Sequence, residues 1–258
     1  MRKKYLFLFL FIPSGLLSFA QPVVTSYSPY SIKSHSVEND EDVPLGNAGE
    51  NQNWNFSSFI TGSLVADIVT VPVENAPGHE HFPLANFCTT YISSNFNPPL
   101  ERYTFYKITN SLREILGETN AQGDITFQYI DPVDWPLPFQ YGVTHMSTHQ
   151  TTTDTTPITS TVTYDAYGTL TTPYGTYNNV VRIKTTNVNV TNYFWAQINP
   201  RYLPLMERTT TQSGTQVTLY EDISALGVNQ IFIDKQVLIY PNPSSKYINL
   251  FLPNNEIV

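Results

Sequence analysis

The stretch VTYDAYGTLTTPYGTYNNVVRIKTT, residues 162–186, carries the chain's clearest structural pattern. Val162, Tyr164 and Ala166 alternate with Thr163 and Asp165, the period-2 pattern of a strand with two unlike faces, and Gly168 is expected to break that strand. Thr172-Pro173-Tyr174-Gly175 reads as a type I turn, because proline presets φ at the second position and glycine suits the fourth. The strand after it turns Val181 and Ile183 inward and Arg182 and Lys184 outward. One antiparallel hairpin is therefore legible from local chemistry alone.

The same grammar extends in both directions. Downstream, residues 193–198, 205–211 and 216–221 read as strands, the last two joined around Ser213-Gly214. Upstream, residues 63–73 alternate loosely, and 103–109, 112–117 and 125–129 read as three strands of a meander. Residues 112–116 would make only one helical turn, too short to stand by itself. Pro132, Pro136 and Pro138 force an extended crossing with few ladder hydrogen bonds. The threonine-rich run that follows, as far as Thr161, suits exposed strands joined by a polar turn. The expected body is all-β and antiparallel: a curved sheet, half-barrel or sandwich.

Composition agrees. The chain has 258 residues, 41% hydrophobic but only 13% charged, with 17 Tyr and 15 Phe, a mixture that favours strands. Thirteen Lys and Arg stand against 21 Asp and Glu, a formal charge of -8, which argues against nucleic acid as a partner because phosphate binding needs a basic patch. The single cysteine, Cys88, excludes an intramolecular disulfide, and its neighbours Phe82, Leu84, Phe87 and Tyr91 point to a small buried apolar residue.

Both ends carry address-like patterns. Arg2, Lys3 and Lys4 precede an apolar stretch, 6–19, and Ser18 and Ala20 place small residues before Gln21, the pattern of a secretory signal peptide over residues 1–20. The mature chain is then expected to hold no transmembrane segment. Near the other end, Tyr240-Pro241-Asn242-Pro243 lies between two short extended runs, since residues before proline avoid the helical region and proline cannot donate to a ladder. Ile248, Leu250 and Leu252 share one face of the second run.

This string, residues 237–253, resembles the opening of the type A C-terminal sorting domain of proteins exported by the type IX secretion system of Bacteroidota. The resemblance implies the type IX machinery as a partner, a secreted or outer-surface destination, and the first strands of an immunoglobulin-like sandwich. Such a sandwich takes about seven strands, so the chain is expected to be a fragment or truncated product of a longer protein. Residues 164–184, with Tyr193-Phe194-Trp195 and Pro204-Leu205-Met206-Glu207, are similar to segments of secreted proteins of that group that carry the same sorting domain. The expected organisation is a signal peptide over 1–20, a β-rich body over 21–228, and a linker with the start of a sorting domain over 229–258.

Candidate chemistry is sparse. His79-Glu80-His81 gives two histidines that point the same way if extended, a metal-ligand spacing that needs a third donor, for which His145 and His149 are candidates. Asp131 and Asp134 are the best-placed pair of carboxylates for glycoside hydrolysis, with Trp135 beside them and prolines crowding them. The acidic run 38–42 lacks the EF-hand pattern and reads as a solvated loop. Trp54 and Phe56, two apart, share a face and are expected in the core. Asp154-Thr155-Thr156 resembles the Bacteroidota O-glycosylation sequon, which implies a glycan on Thr155. Gly-x-Ser-x-Gly, His-Glu-x-x-His and P-loop motifs are absent from the mature sequence.

The expected function is a non-catalytic secreted or cell-surface β-domain for binding, adhesion or structural cover, with a glycan or protein ligand and no cofactor. The alternative is a secreted carbohydrate-active or metal-dependent hydrolase.

Overall fold

The computed structural model describes residues 21–38, 44–224, 238–240 and 249–251. Residues 1–20, the acids Asp40, Glu41 and Asp42, and Pro241, Asn242 and Pro243 lie outside the described residues. The chain divides into two units that meet between Asp222 and Ile223.

The first unit is all-β. Its strands are β1 (Ser31–Val37), β2 (Gly49–Asn55), β3 (Thr61–Val71), β4 (Phe87–Ser93), β5 (Leu100–Ile108), β6 (Leu112–Asn120), β7 (Ile125–Pro136), β8 (Thr144–Thr151), β9 (Ile158–Thr172), β10 (Gly175–Thr186), β11 (Thr191–Gln197), β12 (Leu203–Thr211) and β13 (Gly214–Asp222). Twelve of them form a closed antiparallel barrel, a meander from β3 to β13 that β1 completes by pairing with both β3 and β13. Closure leaves the twelve barrel strands without a free edge, which removes much of the aggregation hazard of an open sheet. The remaining strand, β2, pairs parallel with β9 beyond the point where the β8–β9 ladder ends.

The hairpin of β9 and β10 forms as expected, with Thr172 opposite Gly175 across Pro173 and Tyr174. Two expectations are corrected. Gly168 does not break β9, which runs on to Thr172. A Cβ on Gly168 would lie 1.9 Å from the Gln52 carbonyl oxygen, so the glycine admits the β2 backbone instead of ending the strand. The alternation is also interrupted: Asp165 bulges between Tyr164, opposite Ile183, and Ala166, opposite Arg182. Val162 and Tyr164 thus join the barrel interior while Ala166 moves to the outer cluster.

An eight-stranded barrel is just filled by its own side chains, and twelve strands enclose more room. Residues 22–30 take part of it. Val24 forms a β-bridge with Phe139, Tyr164 donates its hydroxyl to the Pro22 carbonyl at 2.9 Å, and the Tyr202 N–H donates to Ser28 Oγ at 3.1 Å. Val24 packs with Phe139, Val162, Val181 and Ile183. Across the lumen Trp135 of β7 meets Phe194 of β11, with ring centroids 6.3 Å apart.

Two outer faces are also covered. Trp54 and Phe56 lie over Trp195, each edge-on at 6.2 Å, and both are buried. Two 3-10 turns, Val73–Asn75 and His79–His81, belong to the segment that covers β4 and β5, where Phe82 stacks on Phe105 at 4.7 Å beside buried Cys88. Both tryptophan and cysteine expectations hold. In the second unit, β14 (Leu238–Tyr240) pairs antiparallel with β15 (Asn249–Phe251), with Tyr240 opposite Asn249.

Candidate functional site

The barrel interior holds a cavity of about 270 Å³ between the N-terminal segment and β3–β7, β11 and β12. Its walls are largely aromatic and include Tyr27, Tyr30, Tyr91, Tyr106, Trp135, Phe194 and Tyr202. The local reason is the pleat: on β4 and β5 the register pairs Phe87 with Tyr106 and Thr89 with Thr104, all facing inward, while Cys88 and Phe105 face the covered outside.

Arg113 of β6 projects into this cavity. Its guanidinium carbon lies 5.1 Å from the Tyr27 ring centroid, 4.5 Å from Tyr106 and 4.9 Å from Trp135. Contacts of this kind contribute about 0.5–2 kcal/mol each to holding a cation. They engage the face of the group and not its five N–H donors. Among the described residues Arg113 has no ion pair and no hydrogen bond, whereas Arg102, Arg182 and Arg201 each have a carboxylate and Arg208 bonds Thr210. Burial opposes the Arg113 charge, but the surrounding tyrosines hold its pKa above the ordinary value.

The phenols share the enclosure. Burial, tempered by Arg113, pushes Tyr27 up to about 12, and burial raises Tyr30 and Tyr202 further. All three are neutral donors at physiological pH. The cavity's one carboxylate, Glu207, is already engaged: Oε1 accepts from Asn192 at 2.5 Å and Oε2 from the Tyr220 hydroxyl at 2.8 Å. Chemically the site offers a flat apolar enclosure, one unsatisfied cation and several hydroxyl donors.

The residues singled out from sequence lie elsewhere. His79 and His81 are two apart on a 3-10 turn, where about three residues complete a circle, so they diverge instead of sharing a face. His79 Nδ1 lies 3.1 Å from the Ala76 carbonyl, and both imidazoles approach Glu80, at 3.7 and 4.0 Å. Among the described residues no three His, Cys, Asp or Glu side chains come together as a metal site. His145 and His149 are on β8, where His145 Nε2 lies 2.9 Å from Asp134 Oδ2. Burial lowers the pKa of His149, and Asp131 acts in the opposite direction.

Asp131 and Asp134 both sit on β7 at a seam. The β6–β7 ladder jumps from Gln128 to Val133, and β7 meets β8 at only two register pairs, Tyr129 with Thr151 and Asp131 with Gln150. Asp131 is exposed, while Asp134 is half-buried against His145 and its N–H donates to Ser147 Oγ at 3.1 Å. Thr155 is exposed in the loop between β8 and β9, where the Asp154 carboxylate accepts the Thr156 N–H at 2.9 Å. Tyr240 ends β14.

Sequence reasoning missed Arg113 and its tyrosines. Nothing local marks Arg113, which sits in an ordinary strand between Leu112 and Glu114; only the abundance of tyrosine hinted at an aromatic enclosure. Among the described residues no helix is long and apolar enough to cross a membrane. No protein-family model, curated protein or solved structure matches the chain.

Proposed function

We propose that the chain is a non-catalytic, extracytoplasmic binding protein: a β-barrel exported behind a secretory signal and directed to the outer surface or the medium by type IX machinery. The observation that carries the binding role is Arg113, an unpaired guanidinium facing an aromatic cavity of about 270 Å³. Arg113 is half-buried; a cation partly withdrawn from water with no counter-ion among the described residues is a ready point of attachment for an anion.

The route rests on the sequence: the basic and apolar run before Gln21, and the string Tyr240-Pro241-Asn242-Pro243, whose Tyr240 ends the strand β14 that pairs with β15. The exposed Thr155 loop suits a glycan acceptor. Fractionation of native cells tests the route: the protein is expected in the outer-surface or culture fraction, and recovery from cytoplasm alone would overturn it. Glycan-array and small-ligand screening of the purified protein tests the binding role.

The hydrolase reading has one observation in its favour, the Asp134–His145 pair at 2.9 Å. A panel of chromogenic glycosides decides it, since turnover abolished by Asp134→Asn would displace the non-catalytic reading.

A further inference from the structure

The chemistry of the cavity narrows the class of ligand, given the binding role proposed above. Arg113 is the only described arginine without a hydrogen-bonding or ionic partner, and its donors lie among the rings of Tyr27, Tyr106 and Trp135. A guanidinium presents a planar fork that matches a carboxylate. The hydroxyls of Tyr27, Tyr30 and Tyr202 line the same cavity and make no hydrogen bond to the described residues, so they too are donors in search of an acceptor. Glu207 does not fill that need: it accepts from Asn192, Tyr220 and Thr209 and forms no ion pair with Arg113. What is missing from the enclosure is an acceptor-rich negative group attached to a flat apolar body.

We propose that the cavity binds a small aromatic carboxylate, its anion on Arg113 and the tyrosine hydroxyls and its ring between the aromatic walls. Three probes of one shape and different charge test this by titration calorimetry on the purified protein: 2-naphthoate, neutral 2-naphthol and cationic naphthalen-2-ylmethylamine. The expected result is that naphthoate binds at least tenfold more tightly than either of the others, and that Arg113→Gln removes this preference while Arg113→Lys keeps part of it.

Equal binding of naphthoate and naphthol by the unaltered protein would overturn the carboxylate inference and leave a binding cavity in place. Failure of all three probes at millimolar concentration would overturn the cavity-binding reading as well. Because the charge comparison is made on the unaltered protein, the test survives even if the Arg113 variants fail to fold.

Discussion

Arg182 and Asp165 face each other in a bidentate pair on the outside of the barrel, with Nε to Oδ1 and Nη2 to Oδ2 both at 2.9 Å. The Arg182 side chain is 2% exposed, roofed by the Leu45 and Gly46 carbonyls, the nearer at 2.8 Å, and flanked by the rings of Trp54, Tyr193 and Trp195. Arg182 does point out of the barrel as the alternation required, but the segment carrying β2 has covered it. The bulge that displaces Asp165 is what brings the carboxylate to it.

Removing Asp165 strands that cation in a dry site. Asp165→Ala is expected to destabilise the barrel by about 3–5 kcal/mol. Urea unfolding followed by tryptophan fluorescence measures it, and a loss below about 1 kcal/mol would mean that the backbone carbonyls suffice.

Gly168→Ala would push a methyl group into the backbone of Gln52, which lies 1.9 Å from the Cβ position. Backbone cannot swing aside as a side-chain tip can, so β2 must leave β9. A loss of about 1–3 kcal/mol is expected, together with faster amide exchange at Asn53 and Trp54. Unchanged exchange there would show that the close approach is not a real constraint.

The Cys88 thiol and the phenols of Tyr27, Tyr164 and Tyr220 shift in one direction. Burial raises Cys88 from 9.0 to about 12, Tyr27 from 10.0 to about 12, and Tyr164 and Tyr220 further. These pKa values are higher in the folded state, so the stabilisation is complete below the unfolded values near 9 to 10 and is lost as pH rises through the folded ones. Each retained proton removes up to about 1.4 kcal/mol per pH unit in that window. Stability measured from pH 7 to 11 should fall steeply above pH 9, with a jump in phenolate absorbance on unfolding as the buried tyrosines are released. Absence of that jump would contradict the burial. Cys88, 0% exposed, should resist alkylation at pH 8 until the protein unfolds.

At the β7–β8 seam side chains replace ladder bonds. Ser147, 2% exposed, accepts the Asp134 N–H at 3.1 Å. Ser147→Ala leaves that donor unsatisfied, and a loss of about 1–3 kcal/mol is expected in thermal unfolding. A variant as stable as the parent would show that another acceptor replaces the serine.

Strand content, the β9–β10 turn and the burial of Trp54 and Cys88 were readable from residues in order, because alternation, β-branching and proline act over a few neighbours. β1, with the sequence SIKSHSV, offered almost no apolar alternation, yet it closes the barrel by pairing Ser34 with Tyr220 and Ala66. That choice belongs to tertiary structure, since it depends on contacts between residues far apart in the chain. The same holds for the two misread positions, Gly168 and Ala166, whose surroundings are set by β2 and by a bulge. Arg113 makes the point most sharply: its sequence neighbours describe an ordinary strand residue, and only the tertiary fold brings Tyr106 of β5, Trp135 of β7 and Tyr27 of the N-terminal segment around its charge with no counter-ion among the described residues.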